Sequence, residues 1–412
     1  MIRYGLLSDH FEGVAAKQLS AVETSPDTSN QHEFNGTAAL RRIFGDADRR
    51  GIPTRFMWLG GEQAGITSES TISWYDARRR HETRTEYRLY YPANEVTALM
   101  EAGDMFFLAL RRDGTAVVII TPAESTLHNQ LRWLFGLDRE PELQFTVREI
   151  RDGQDAELDF TARFILDELG IELEEPEAVL LDRLLEQFDG AFPSTREFSA
   201  VARGSLPEIE PGVDDPDAVL MAWLEREEAL FRRLERHLVS DRLRDGFMRQ
   251  GAADVDGFLA FSLSVQNRRK ARAGQSLENH LQEIFAARGI RFDRGAVTEG
   301  GHKPDFLFPG ITEYHDRTFP TAHLTMLGAK SSLKDRWRQV LTEAERIPAK
   351  HLLTLEPAIS EKQTAQMQAA HLQLVLPKSI HASYLPTQQD WLLTLTGFIE
   401  QVTEHQAAST TR

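Results

Sequence analysis

Between residues 69 and 122 the apolar positions come in short β-branched or aromatic runs: Ser73-Trp-Tyr75, Tyr87-Arg-Leu-Tyr-Tyr91, Met105-Phe-Phe-Leu-Ala-Leu110 and Ala116-Val-Val-Ile-Ile-Thr121. Gly, Asp, Pro and Asn separate them, as turns require, so the pattern predicts strands. The chain before about residue 170 therefore reads as a mainly β domain with some flanking helix. Beyond it the pattern changes. Acidic, proline-bearing stretches occupy 172–178 and 207–216, and the first is the expected linker between a domain at 1–171 and another at 179–412. A helix is expected at 178–188. Another is expected over 216–248, where Leu220, Trp223, Leu224, Leu230, Phe231, Leu234 and Leu238 recur at spacings of three and four.

From residue 276 helices and strands alternate. Ser276 is placed to cap a helix running to about 288, with Leu277, Leu281, Ile284 and Phe285 on one face. Asp305 to Phe308, Leu324 to Ala329, His351 to Leu355 and Leu372 to Leu376 read as strands. Residues 334–347 read as an amphipathic helix through Trp337, Val340, Leu341, Ala344 and Ile347, and Trp391 to Val402 as a last helix. Such alternation implies a layered α/β domain. The chain as a whole is thus expected to be multidomain α+β, and no internal repeat is visible.

Composition narrows the function. A length of 412 residues calls for two or three domains, and 41% hydrophobic residues suffice for their cores. No apolar run is long enough to span a membrane. The first residues, MIRYGLLSDHFEG, are too soon acidic for a secretory signal. Zero cysteines excludes disulfides, thiolate metal sites and cysteine nucleophiles, and fits an expected cytoplasmic location. A net charge of −16 argues on its own against nucleic acid. Binding responds to local fields, however, and the basic residues are clustered. Arg78-Arg79-Arg80-His81 is followed by Arg84 and Arg88, and Arg268-Arg269-Lys270 by Arg272.

Four residues of the second half carry candidate chemistry. Asp305 opens the apolar strand Phe306-Leu-Phe308, Lys330 ends another, Glu343 lies beside the apolar stripe on the flank of Arg336, and Glu278 shares a row with Leu281 and Phe285. Phosphodiester hydrolysis needs these types. Mg²⁺ takes one or two carboxylates and keeps several waters, and a lysine stabilises developing phosphate charge or orients the attacking water. Adjacent strands bearing Asp and Lys, with a Glu on the next helix, would gather all three around one metal. Each residue alone also has a plainer reading. Asp305 would be a turn residue, Lys330 solvated, and Glu343 a partner of Arg336 or Arg346. For Glu278 a structural ion pair competes with a metal role. None of the 13 histidines forms a zinc motif.

Several longer strings resemble a known family. Ser264-Val-Gln-Asn-Arg-Arg-Lys-Ala-Arg-Ala-Gly-Gln-Ser-Leu-Glu278, Thr298-Glu-Gly-Gly-His-Lys-Pro-Asp-Phe-Leu-Phe-Pro309, Tyr314-His-Asp316 and Lys330-Ser-Ser-Leu-Lys-Asp-Arg-Trp-Arg-Gln339 are similar to the C-terminal domain of EcoRII-type restriction endonucleases. The resemblance implies a restriction-endonuclease-like PD-(D/E)xK core with a relocated glutamate. Asp305, Lys330 and Glu343 would be catalytic, with Asp305 and Glu343 as Mg²⁺ ligands, and Glu278, Tyr314, Lys334 and Arg336 close by. It also implies a homodimer cutting a CCWGG-like site, with W being A or T, and a cognate DNA methyltransferase beside it. Arg268, Arg269, Lys270 and Arg272 lie in the segment assigned to DNA contact, where arginine reads guanine by two hydrogen bonds or simply meets phosphate. Toward the N-terminus, Asn30-Gln-His-Glu-Phe-Asn-Gly36 and Trp74-Tyr-Asp-Ala-Arg-Arg-Arg-His-Glu-Thr-Arg-Thr-Glu-Tyr-Arg88 resemble the family's effector domain, a B3-like pseudobarrel that binds a second copy of the site. Carried over, Arg78, Arg84, Glu86 and Arg88 become contact residues. The rival readings are another PD-(D/E)xK nuclease, acting in repair or directed by methylation, and a DNA-binding regulator without catalysis.

Overall fold

A computed structural model describes residues 5–24, 32–81, 83–137, 143–151, 157–173, 178–188, 191–249, 251–333 and 336–410. The chain divides into two compact units, Arg3–Glu172 with Ala358–Lys362, and Leu173–Pro357 with Gln363–Arg412. Most of the expected linker, 174–177, lies outside the described residues.

The N-terminal unit is built on one mixed sheet. Its strands are β1 (Phe11–Gln18), β2 (Glu33–Asn35), β3 (Arg49–Trp58), β4 (Ile66–Asp76), β5 (Tyr87–Tyr90), β6 (Met105–Arg111), β7 (Ala116–Thr121) and β8 (Thr146–Glu149). They run in the order β2-β5-β4-β3-β7-β6-β1-β8. Only β3 and β7 pair in parallel; the other neighbours are antiparallel. Helices α1 (Ala21–Thr24), α2 (Ala38–Phe44), α3 (Thr126–Leu134) and α4 (Phe160–Glu168) accompany the sheet. All six residues of β7 are buried, so both faces of the sheet's centre are covered. Toward the edge β4 alternates buried and accessible positions, the mark of a half-solvated strand. Trp74 is sandwiched between Phe44 and Tyr87, at ring distances of 5.1 and 5.0 Å, and its indole N–H donates to the Gly45 carbonyl at 3.0 Å. That sandwich fixes the base of the turn that carries Arg78 to Arg80.

In the C-terminal unit a helical layer supports a second sheet. The helices are α5 (Ala178–Leu185), α6 (Thr195–Gly204), α7 (Pro216–Asp245) and α8 (Val255–Ala287), with a hairpin of β9 (Met248–Arg249) and β10 (Ala252–Ala253) between the last two. Leu181, Phe198, Leu230, Phe231 and Leu234 form the core between the helices. The sheet comprises β11 (Asp293–Arg294), β12 (Phe306–Phe308), β13 (Thr325–Lys330), β14 (Lys350–Thr354) and β15 (Leu372–Val375), in that spatial order. β11, β12 and β13 pair antiparallel, whereas β13, β14 and β15 pair in parallel. Short helices α9 (Ile311–His315), α10 (Trp337–Val340), α11 (Glu361–Ala369) and α12 (Pro386–Gln389) and the terminal α13 (Leu395–Thr410) complete it. Phe285 of α8 meets Phe306 and Phe308 edge-on at 5.3 Å each, which fastens the helical layer to β12.

Three elements differ from expectation. Ser276 does not cap a helix. It is buried within α8, whose true cap is Asp254, accepting from the Gly257 N–H at 3.0 Å. The apolar pattern continues upstream through Val255, Phe258, Leu259 and Leu263, which are exposed and make no sharp boundary at 276. The expected helix over 334–347 is only Trp337–Val340. Ala344 and Ile347 are buried as foreseen and Leu341 is half-buried, yet the chain leaves the helix, with Ala344 at φ 48°. The last helix starts at Leu395 rather than Trp391, because Leu393 pairs across to Leu374 and Leu376. The buried Asp217 carboxylate then accepts the N–H groups of Leu395 and Thr396 at 3.0 and 2.9 Å, satisfying donors that a helix start leaves free.

A buried ionic cluster ties α7 to α8. Arg272 is paired with Glu227 and covers the rings of Phe198 and Phe231 at 4.1 and 4.5 Å. His280 meets the same carboxylate at 2.9 Å. Burial acts to raise the Glu227 carboxyl, but His280 and Arg272 outweigh it and hold it below the usual range. Removing one partner strands a buried charge. Arg272→Ala should therefore lower unfolding free energy by about 3–5 kcal/mol, measured by urea titration; a loss under about 1 kcal/mol would mean the cluster behaves like a surface pair.

Candidate active site

The antiparallel register of β12 and β13 sets Phe306 opposite Leu327 and Leu307 opposite Met326. Continuing that register carries Asp305, one residue before β12, to the end of β13. There its Oδ2 accepts the Ala329 N–H and the Lys330 ammonium, both at 2.7 Å. The Asp305 side chain is 14% exposed and that of Lys330 25%, so the pair is neither sealed nor free in solvent. The plain reading of Asp305 as a turn residue and Lys330 as solvated is overturned by this contact.

Glu343 is presented from the turn after α10, not from a helix. Its Oε2 is buried and, among the described residues, has no hydrogen-bond partner. Burial, and next the charge of Asp305, push its carboxyl up to about 7, while Lys330 and Lys350 pull the other way. The alternative pairing with Arg336 or Arg346 is not formed. Arg336 is exposed, and the Arg346 guanidinium donates to the carbonyls of Glu313, Tyr314, Asp316 and Phe319. The backbone behind Glu343 is held by Lys350, whose ammonium donates to the Glu343, Ala344 and Ile347 carbonyls at 2.6, 3.0 and 2.8 Å. Nothing in the sequence pattern singled out Lys350.

Glu278 lies at the margin. Arg294 grips its Oε2 through two nitrogens, at 2.8 and 3.1 Å, so the ion-pair reading is realised. The carboxyl is still raised, by burial first and then by Asp305, which places it in the same electrostatic neighbourhood. Arg294 was not foreseen either; it also donates to Asn279 and Gln282, both at 2.9 Å. Tyr314 is not aimed at the acids. It is buried, its hydroxyl donates to Glu299, and it accepts from the Arg346 N–H at 3.2 Å, so it fastens the loop around α9. Burial pushes its phenol up to about 12.

The expected DNA-contact residues are distributed unevenly. Lys270 is exposed, Arg268 lies 4.3 Å over the Phe192 ring, and Arg269 donates to Glu235 at 2.6 Å. Arg272 is inside the helical layer, where the pattern of basic residues could not distinguish it from its neighbours. Lys334 lies outside the described residues. In the N-terminal unit Glu86 binds both Arg78 and Arg88, and Arg88 also binds Asn35. Asp76 Oδ1 accepts the N–H groups of Arg78 and Glu86 at 2.9 and 2.7 Å, closing the turn. Arg79 meets Asp48 at 3.0 Å, while Arg80 and Arg84 are exposed.

A family model described as EcoRII C terminal matches residues 231–399. Most of the matched span lies in the C-terminal unit. The matched span contains Asp305, Lys330, Glu343 and Glu278. The chain is 44% identical over 190 residues to the type II restriction enzyme EcoRII of Escherichia coli, covering 46% of each chain. It is 27% identical over 173 residues to the type II restriction enzyme SsoII of Shigella sonnei, covering 40% of this chain and 53% of that one. The aligned portion thus spans about half the length of these relatives. Among solved structures, a complex of the restriction endonuclease PspGI with substrate DNA aligns at a TM-score of 0.44 and 15% identity, over 53% of this chain and 94% of that one. Metal-depleted Ecl18kI with uncleaved DNA aligns at 0.43 and 19%, over 57% and 86%. Among the described residues no helix is long and apolar enough to cross a membrane.

The donor set fits a hard divalent cation. Among the described residues no group of three or more His, Cys, Asp or Glu is gathered as a metal cluster. Mg²⁺ needs only one or two carboxylates, the rest being water, and a buried Glu343 oxygen without a hydrogen-bond partner among the described residues, within electrostatic reach of Asp305, is compatible with that need. Without a cation, Glu343 has a folded-state pKa above its unfolded value. The native state therefore binds the extra proton, and stability falls as pH rises from about 4.5 to about 7. Metal-free Glu343→Gln should be more stable than wild type at pH 8, with the gap closing below pH 5. Thermal melts across that range test it; a constant offset would show that folding does not shift the Glu343 carboxyl.

Proposed function

We propose that this protein is a type II restriction endonuclease that makes Mg²⁺-dependent double-strand cuts at a short CCWGG-like site. The single observation that carries the reading is the direct Asp305–Lys330 contact across β12 and β13, with the burial-raised Glu343 facing the same pair. The homology of residues 231–399 to restriction enzymes supports it. In this reading Asp305 and Glu343 hold Mg²⁺, and Glu278 and Arg294 border the cleft. Mg²⁺ supplies Lewis-acid stabilisation of the phosphate and lowers the pKa of a bound water. Lys330 and the Ala329 N–H both hold Asp305 through Oδ2, and its other oxygen would serve the cation. The Lys330 ammonium lies beside that oxygen set, where it stabilises charge on the scissile phosphate and orients the attacking water. To hold the cation Glu343 would have to be deprotonated, as ligand carboxylates are. Arg268, Arg269, Lys270, Lys334 and Arg336 supply DNA contacts, whereas the structure commits Arg272 to α7.

The N-terminal unit, in this proposal, is a B3-like effector domain that binds a second copy of the site. Arg78, Arg84, Glu86 and Arg88 form its contact turn, with Glu86 presetting the two arginines it binds. A homodimer supplies one active site per strand, and a cytoplasmic setting with a cognate methyltransferase protects host DNA. Occupation of the second site raises activity by shifting the population toward a cutting-competent state.

Incubation of plasmid with the protein and Mg²⁺ should give discrete bands. A smear would instead indicate an unspecific nuclease, and a gel shift without cutting a binder. Lys330→Ala should lower cleavage by about 10²–10³-fold or more, the scale for losing one positioned donor, and leave DNA affinity nearly unchanged; normal cutting by that variant would misplace the active site. For the second-site proposal, two-site DNA should be cut faster than single-site DNA under the same conditions. Equal rates would remove the effector role from the N-terminal unit.

A further inference from the structure

Glu343 carries half of the proposed metal shell, yet no regular element holds it. Helix α10 ends at Val340, and the chain from Leu341 to Ile347 proceeds through turns, with Ala344 in the left-handed region at φ 48°. Such a segment leaves backbone carbonyls without helical or strand partners. Three of them, from Glu343, Ala344 and Ile347, converge on the ammonium of Lys350 at 2.6, 3.0 and 2.8 Å. Lys350 is 6% exposed and is itself rigidly placed. It opens β14, pairs in register with Leu372 and donates its own N–H to the His371 carbonyl at 3.1 Å. The turn is thereby tied to the sheet whose neighbouring strand ends in Lys330.

We propose that Lys350 is the positioning residue for Glu343: its ammonium fixes the backbone from which that carboxylate reaches the Asp305–Lys330 pair. The inference rests on reading those three residues as a nuclease centre. A buried ammonium spent on three carbonyls, with no carboxylate among them, is suited to this task. It binds the turn strongly without neutralising the acid the metal needs. A buried ammonium needs an acceptor for each of its three N–H donors; here all three come from the single turn that bears the proposed acid, so the lysine ties that turn and nothing else.

Lys350→Met keeps the buried stem and removes the donors; Lys350→Gln keeps two donors without the charge. The first readout is amide hydrogen exchange of the metal-free protein. In Lys350→Met the amides of Glu343 and Ile347 should exchange about tenfold faster or more, with β12 and β13 unchanged, as expected for a local opening. The second is single-turnover cleavage against Mg²⁺ concentration. The half-saturating concentration should rise about 10–100-fold, as when a group orienting a metal ligand is lost, while metal-free affinity for a specific duplex stays within about twofold. Lys350→Gln should fall between wild type and Lys350→Met in both readouts. Folded variants with exchange and half-saturation within twofold of wild type would overturn the proposal. So would failure of both variants to fold, since Lys350 would then be a requirement of the fold itself. Loss of cleavage in the wild type with accelerated exchange in the variants would sink the nuclease reading and leave the anchoring of the turn intact.

Discussion

Two acids brought together in a half-buried cleft repel each other, and most of the C-terminal unit can be understood as the means of tolerating that. The Asp305 carboxylate is held by a lysine and a backbone N–H, both at 2.7 Å, whereas burial and the charge of Asp305 push the Glu343 carboxyl up to about 7. The asymmetry matters. One carboxylate is fixed by direct partners, and the other has a buried oxygen with no hydrogen-bond partner among the described residues. The sheet register delivers the first, and a turn stapled to the sheet delivers the second. Moving either away would weaken the repulsion that raises the Glu343 carboxyl.

Rigidity behind the cleft comes from the helical layer. Phe285 locks α8 onto β12 through Phe306 and Phe308, and the Arg272–Glu227–His280 cluster locks α8 onto α7. Glu278 lies on α8 between these two fixings, which is why it meets Arg294 and senses Asp305 rather than turning to solvent. One long helix thus carries a core face and a half-buried acid, and of its upstream basic residues Arg268 covers Phe192, Arg269 is bonded to Glu235 and Lys270 is exposed.

Much of this was legible in the chain. The apolar runs ending at Lys330 and beginning after Asp305 were strands, and their adjacency followed from the chemistry expected of the two residues. What escaped had physical causes. Trp337, Val340, Ala344 and Ile347 repeat at helical spacing, but Lys350 offers their backbone better hydrogen bonds than another helical turn would. Spacing records which side chains are buried, not which carbonyl is capped by a distant ammonium. Arg272 looked like Arg268 and Arg269 because a run of basic residues carries no sign of which member has an acid waiting beneath it. The β1 segment, with Gly13 and two alanines, lacks the β-branched signature and is a strand because β6 and β8 flank it. The short-range resemblance to restriction endonucleases carried the roles of Asp305, Lys330 and Glu343 further than periodicity could.

The direction change at β13 has a consequence for how such a chain can vary. β12 runs one way and β13 to β15 the other, so the start of β12 and the finishes of β13 and β14 share one rim of the sheet. The connection 309–324 leaves β12 at the opposite rim, yet it is tied back to the turn that bears Glu343, because the Arg346 guanidinium donates to the carbonyls of Glu313, Tyr314, Asp316 and Phe319. A change of length or sequence in that connection is therefore transmitted to the turn, and the loop is constrained by more than the two strands it joins.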